Sequence, residues 1–351
     1  TVVDRANNDV VRKIMHKERF IPIISEYSLN SISASQKEDY ETMFPGSVYT
    51  GGIGSFNVAN ASVIGDEVVT DNGYLYAVNQ VIEPLETIYA EMNKENSDYT
   101  QFAKMYDRFV VYQYDEDATR DYGNGDSLFV HSHNILPPIA CEWTNFYNLS
   151  TPDYAQMNYL TSVSYAVLAP DNKSINQFFQ KYWSASFSSL EEVNFVPLYH
   201  FMNEHAIRYG GGMIGAYALG SYIVNNDIWD DHQLAMPTDV KVCSNGILGG
   251  MKDNVITPEV FETPIAPALC NKDYNVFALL CQKGSLFDIF SKSLDKDFDV
   301  FFPTDEMLLG SEYNGDYIQY LKGNPYIITD EQVQVANSTD GTMSNATTSQ
   351  A

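Results

Sequence analysis

Apolar and polar positions alternate along this chain in two periods, and the switches between them mark out its elements. From Tyr165 to Ala169 five apolar residues run without interruption, the pattern of a strand buried on both faces. Pro170 then removes a ladder donor and ends it. Asp171 follows as a helix N-cap candidate. After it, Ile175, Phe178, Phe179 and Tyr182 fall at i, i+3, i+4 and i+7, one apolar stripe of a short helix. The unit is buried strand, proline turn, capped helix. A second copy spans 298–309, Phe-Asp-Val-Phe-Phe-Pro-Thr-Asp-Glu-Met-Leu-Leu, with Pro303 in the place of Pro170 and Thr304 or Asp305 as the cap.

Two further segments recur, and repetition bears on the fold before any single element does. Asp98-Tyr99-Thr100-Gln101-Phe102-Ala103 returns as Asp273-Tyr274-Asn275-Val276-Phe277-Ala278. Asn72-Gly73, followed by Val81-Ile82-Glu83-Pro84, returns as Asn245-Gly246, followed by Val255-Ile256-Thr257-Pro258. Their order places a complete module at 93–267, between the C-terminal part of one module at 1–92 and the N-terminal part of another at 268–351. In the complete module Phe102, Met105, Tyr106, Phe109 and Val110 predict one core-facing helix. Asp98 to Pro170 spans 72 positions against 30 from Asp273 to Pro303, so an insertion of about forty residues lies at about 114–160, a length typical of functional surface loops.

The remaining elements follow from local pattern. Residues 9–27 predict a helix and then a strand or second helix, and 55–69 predicts strands with a turn at Gly65-Asp66. Asp71-Asn72-Gly73 predicts a hairpin with a type I′ turn, which needs positive φ at both central residues. The second hairpin carries Gly249-Gly250 in its strand, which predicts a bulge. Residues 195–201 predict a helix or strand entering the core, and 207–224 predict strands. Beyond Ile328 the Ser/Thr/Asn-rich sequence is too polar and small to build a core and reads as a tail or a surface loop.

Together these signatures resemble the fasciclin domain, an extracellular module. Phe301-Phe302-Pro303-Thr304-Asp305 sits close to that family's apolar strand followed by Pro-Thr-Asn, and Leu168-Ala169-Pro170-Asp171-Asn172 is a looser match. Asn72 to Pro84 reproduces the spacing of the family's second motif, with Tyr76 where a His is usual. Tyr199-His200 supplies the Tyr-His pair found between the two motifs. The resemblance covers nearly the whole chain and implies an α+β fold: tandem wedge-shaped β-sandwich modules with packed helices. Its motifs are structural rather than chemical.

Composition narrows the partners. The 351 residues carry a formal net charge of −26. A surface so acidic repels phosphate backbones and anionic lipid, which argues against nucleic acid and polybasic membrane contact. No apolar run reaches the roughly 20 residues of a membrane span, and a chain opening part-way through a module leaves room for an anchor segment outside this sequence. Cys141, Cys243, Cys270 and Cys281 show neither close pairing nor metal-ligand spacing and read as reduced, buried thiols.

Candidate chemistry is sparse. His131 and His133 share one side of a strand and with a carboxylate could hold zinc, although exposed strands carry such pairs without metal. His200, Glu204 and His205 match no metalloprotease spacing. The acids Asp115, Glu116, Asp117, Asp121 and Asp126 form a weak calcium candidate beside the plainer reading of a solvated charge run. Asp295, Asp297, Asp299 and Glu306 have calcium-loop spacing, but Val300 stands where the loop's glycine is required. Five Asn-x-Ser/Thr sequons open at Asn60, Asn148, Asn172, Asn337 and Asn345. No cofactor is implied. The inserted aromatics Trp143, Phe146 and Tyr147, with Tyr199 and His200, are the candidate ligand-binding residues, since aromatic anchors give large contact area at low entropy cost.

The resemblance implies a non-enzymatic cell-surface protein that binds a protein or glycan partner, a bacterial lipoprotein attached to the outer membrane or accessory to a nutrient-uptake assembly there. A subunit of a larger envelope complex without its own ligand is the alternative. A glycan-acting hydrolase with two unplaced carboxylates is the weaker one.

Overall fold

The computed structural model describes residues 2–4, 9–13, 23–26, 40–41, 44–51, 55–83, 85–133, 136, 139, 164–209, 239–243, 246–292, 297–309, 317–321, 324–328, 333–336 and 343–345. They form a mixed α+β structure of several small sheets with packed helices. The chain groups into two compact units, the first from 1–172 and 205–254, the second from 173–204 and 255–351.

The first unit holds three four-stranded sheets. One has the order β1-β2-β8-β7, from β1 (Val2–Asp4), β2 (Asp9–Lys13), β7 (Val110–Tyr114) and β8 (Leu128–His133). Val10 and Val11 therefore stand in a strand rather than the predicted helix. Val10 is exposed and Val11 buried, an alternation that fits pairing with β1 on one side and β8 on the other. Helix α1 (Ile88–Met92) is N-capped by Thr87, whose hydroxyl accepts the Ala90 N–H at 3.1 Å. Helix α2 (Thr100–Tyr106) buries Phe102, Met105 and Tyr106 as predicted. It stops there: Asp107–Phe109 is a 3₁₀ turn and Val110 begins β7. The run Val110-Val111-Tyr112 favours a strand and pairs with β8.

The second sheet has the order β3-β4-β5-β6, from β3 (Ile23–Ile24), β4 (Asn57–Val58), β5 (Ala61–Thr70) and β6 (Gly73–Val78). The predicted hairpin is present, with Thr70 opposite Gly73. Its two central residues are Asp71 and Asn72, and neither Asn72 nor Gly73 has positive φ, so the turn is not type I′. Thr70 closes it instead by donating its hydroxyl proton to the Gly73 carbonyl at 2.9 Å. Gly65-Asp66 is not a turn either. The register slips between Ile64 and Val68, and Gly65 takes a φ of +73° that a side chain would resist. The result is a bulge inside one long strand.

The third sheet, β10-β9-β12-β11, comprises β9 (Ser164–Pro170), β10 (Ala206–Tyr209), β11 (Asp239–Cys243) and β12 (Gly246–Met251). As the unbroken apolar run predicts, Tyr165 to Ala169 are all buried. β12 runs parallel to β9, from Gly246 beside Tyr165 to Met251 beside Pro170, without a register shift. The bulge predicted at Gly249-Gly250 is absent. Gly250 instead makes room for Tyr99, whose Oη would lie 1.8 Å from a Cβ there and donates to Asp239 Oδ2 at 2.8 Å. Gly246 has the predicted positive φ, +144°, and its backbone approaches β9 so closely that a Cβ would sit 1.8 Å from the Tyr165 carbonyl oxygen.

Where β9 ends, the chain is tied back to α2. Asn172 Oδ1 accepts the Gln101 N–H at 2.9 Å, and its Nδ2 donates to Thr100 Oγ1 at 3.1 Å. The Asn172 N–H itself donates to the Asp98 carbonyl at 2.7 Å. Asn172 thus caps a helix that begins 72 positions earlier, and its amide is committed within the protein rather than offered to a glycan.

The second unit carries the matching contact. Helix α4 (Asn172–Tyr182), which belongs to this unit from Lys173 onwards, buries Ile175, Phe178 and Phe179 as predicted. Phe178 packs on Trp183, Phe201 and Phe261 at ring separations of 5.0, 4.7 and 5.4 Å. Phe201 belongs to α5 (Phe195–His205), and the unit also holds α6 (Ala266–Leu269), α7 (Asn275–Lys283), α8 (Leu286–Lys292) and α9 (Asp305–Leu309). At the start of α7, Asp305 Oδ1 accepts the Val276 N–H at 2.8 Å. By the sequence repeat Asp305 corresponds to Asn172 and Val276 to Gln101, so one hydrogen bond recurs in both copies. The strand predicted at 298–302 does not form, and Phe301 is 91% exposed. β9 is paired on both edges, by β10 and β12, whereas among the described residues no strand pairs with 298–302. An antiparallel meander of β13 (Tyr317–Leu321), β14 (Asn324–Ile328), β15 (Val333–Ala336) and β16 (Met343–Asn345) extends into the polar end of the chain.

Asn172→Ala should lower stability by about 1–2 kcal/mol, the ordinary worth of a helix cap. Gly246→Val should cost at least the ~1–3 kcal/mol of an overpacked core, because its Cβ meets backbone on a neighbouring strand. Urea denaturation midpoints check both, and an unchanged midpoint for either variant contradicts the contact assigned to it.

Candidate functional site

Of the residues singled out from sequence, Trp143, Phe146 and Tyr147 lie outside the described residues. Tyr199 and His200 lie on α5, the helical outcome of the reading at 195–201. His200 Nε2 bonds Gln282 Oε1 at 2.9 Å, and its ring meets Phe287 edge-on at 4.5 Å. Burial lowers its pKa to about 4, against smaller opposing effects of Gln282 and Asp288. The imidazole is therefore neutral at neutral pH and joins α5 to α7. Tyr199 stacks on Phe195 at 6.5 Å, and burial raises its phenol above the ordinary value. The pair is built as packing.

The other chemical candidates resolve in the same direction. The acidic stretch at 115–126 is largely a helix, α3 (Glu116–Tyr122), which follows β7. Asp115 is its N-cap, accepting the Ala118 N–H at 2.8 Å, and Arg120 pairs with Asp117 at 2.7 Å and Asp121 at 3.0 Å. Among the described residues no group of three His, Cys, Asp or Glu side chains could hold a metal ion. His131 and His133 are placed in β8 opposite Tyr112 and Val110. Cys243, Cys270 and Cys281 are free thiols. Burial lifts Cys270 to about 11 and Cys281 to about 12, which leaves little thiolate for reaction. Cys141 lies outside the described residues. On the outer face of α4, Lys173, Asn176, Gln177, Gln180 and Lys181 line a shallow depression of about 720 Å³, two cations and three amides without a carboxylate.

The largest unexplained feature is the β5-β6 ribbon. Beyond its root the pairing places Val69 with Tyr74 on one face and Val68 with Leu75 on the other. All four are exposed, by 69, 65, 52 and 59% respectively. Apolar side chains on both faces of two paired strands thus meet solvent, and β6 has no strand beyond it among the described residues. The root is held firmly. Buried Asn57 accepts the Thr50 N–H at 2.9 Å and donates to Tyr40 Oη and the Val48 carbonyl, both at 3.0 Å. Ser62 N–H donates to Asn79 Oδ1 at 2.8 Å, and Tyr40, Phe44 and Ile24 pack beneath. Higher up, Tyr76 reaches across the bulge to Glu67 and sets its ring on Phe56 at 5.0 Å. Sequence reading placed this hairpin and missed its exposure. The available signal was Val68-Val69, adjacent apolar residues that no one-sided strand can bury together.

No helix among the described residues is long and apolar enough to cross a membrane. Comparison of the chain with protein-family models, with curated proteins and with solved structures finds no match.

His200 sets a pH dependence. Its folded pKa lies below the ordinary 6.5, so its contribution is present above pH 6.5 and is lost as the pH falls from there towards 4, by up to about 3 kcal/mol. Asp305, raised to about 6 by burial that outweighs its backbone hydrogen bonds, acts in the opposite sense, its contribution being lost as the pH rises from 3.8 through 6. Comparing His200→Gln with the native chain cancels the Asp305 effect. The native chain should lose more stability than the variant between pH 6.5 and 4, and parallel pH profiles would remove His200 from the account.

Proposed function

We propose that this chain is a non-enzymatic protein of the cell surface, built of tandem fasciclin-like wedge-shaped modules, that holds a macromolecular partner for adhesion or as an accessory to an outer-membrane uptake assembly. The observation that carries the reading is the anchored β5-β6 ribbon with apolar residues on both faces. Exposed apolar surface on a rigid support is the signature of a contact site, and a two-stranded ribbon encloses no pocket for a reacting group. The hydrogen bond repeated at Asn172 and Asp305 supports the modular part, because it joins the same two repeated segments, the Asp-Tyr helix start and the proline turn, in each copy. Lipid attachment through a segment outside this sequence belongs to the same proposal.

Envelope preparations from the producing cells should retain the native chain, and Val68→Ser, Tyr74→Ser and Leu75→Ser combined should weaken retention by about tenfold or more with the melting temperature unchanged. Retention unaffected by the triple variant would favour a structural subunit that uses other surfaces. Release of reducing sugar ends from envelope polysaccharide would instead favour the hydrolase.

A further inference from the structure

The sheet β10-β9-β12-β11 supplies a template for the edge of β6 that no strand covers among the described residues. In the sequence repeat Asn72-Gly73 corresponds to Asn245-Gly246, so β6 corresponds to β12 and β5 to β11. Both hairpins close alike, Thr70 opposite Gly73 and Cys243 opposite Gly246. On β12 the edge away from β11 carries β9, a parallel apolar strand. On β6 the edge away from β5 carries no strand among the described residues. An open strand edge presents a row of backbone donors and acceptors ready to pair.

Charge selects what can pair there. Residues 61–83 contain Asp66, Glu67, Asp71 and Glu83 and no Lys, Arg or His. Asp66, Glu67 and Asp71 flank the exposed Val68, Val69, Tyr74 and Leu75, and all three acids face solvent. A second copy of this chain, with a net charge of −26, would bring acid against acid. The segment at 297–302, which the repeat equates with β9, itself carries Asp297 and Asp299.

We propose that β6 receives an extended apolar segment of a partner polypeptide flanked by Lys or Arg, laid along its free edge in parallel as β9 lies along β12. The inference rests on the reading of the ribbon as a contact site and adds the mode and chemistry of the contact. Main-chain hydrogen bonds supply affinity in strand addition, and alternate side chains supply specificity. Here Tyr74 and Tyr76 line one face and Leu75 and Ala77 the other, while the acids select the basic flanks. The anchored root means that the ribbon requires little ordering on binding.

The probe is a short peptide alternating Val and Thr between terminal lysines, compared with the same peptide between terminal glutamates and with a lysine version carrying a central Pro. The lysine peptide should bind at least about tenfold more tightly than either control, lose affinity as salt is raised, and slow amide hydrogen exchange in residues 73–78. Asp66→Lys with Asp71→Lys should reverse the preference between lysine and glutamate peptides. Equal binding of the glutamate peptide, binding of the Pro peptide, no binding at all, or exchange protection outside 73–78 would overturn the proposal. So would a sedimenting dimer of the native chain with β6 protected, which would make a second copy the occupant. If the lysine peptide fails while the Ser variants still lose envelope retention, strand addition falls and the contact-site reading stands. If the peptide pairs while the Ser variants are retained normally, the contact-site reading falls.

Discussion

One hydrogen bond, made twice, organises this chain. The side chain two positions after a proline accepts a backbone N–H in the first turn of a helix far earlier in sequence, Asn172 from Gln101 and Asp305 from Val276. The first N–H groups of a helix have no intrahelical partner, so a distant cap both satisfies one and fixes where the later segment must pass. In the first copy the consequences can be followed outwards. With Asn172 fixed, the Asp171 N–H donates to the Met251 carbonyl at 3.0 Å, the Asp171 carboxylate accepts the Asp253 N–H at 3.2 Å, and β9 enters the sheet beside β12 in a single register. The glycines of β12 complete the fit, Gly246 by letting the backbone approach β9 and Gly250 by admitting Tyr99. In the second copy the cap is made, yet 298–302 lies outside any sheet. The cap therefore acts locally, and the strand needs neighbours of its own.

Much of this was legible because short-range pattern and repetition carry it. The unbroken run at 165–169 states burial on two faces, and the recurrence of Asp-Tyr and Pro motifs marks the residues that meet. Elements failed where local pattern was outweighed by pairing. Val10-Val11 and Val110 have spacings that suit a helix, but β-branched residues beside an available strand edge complete a sheet. Gly65-Asp66 and Gly249-Gly250 show the ambiguity of glycine, which can mark a turn, a bulge or a close approach. The first became a bulge and the second an approach by Tyr99, a residue about 150 positions earlier in the sequence.

The candidate site was less legible than the fold. Titratable groups drew attention because their chemistry is nameable, and those described lie in structural contacts: His200 on Gln282, Asp115 at a helix cap, Asp117 and Asp121 around Arg120. The ribbon was read correctly as a hairpin, but whether a strand's apolar side chains are covered is set by the rest of the fold. Its acidity was visible from the start as an absence of cations over 61–83, and it gained meaning only beside exposed valines and an open edge.

The sheet around β9 also has a history in time. β9 leaves the ribosome 81 positions before Gly246, the residue of β12 that lies beside Tyr165. At synthesis rates of about 5–20 residues per second, that interval is ~4–16 s. β10 arrives sooner and can cover one edge by antiparallel pairing, but the other edge of a strand with five consecutive apolar residues waits for β12. This sheet therefore cannot be completed until β12 has emerged, and until then one edge of β9 stays open to other partners.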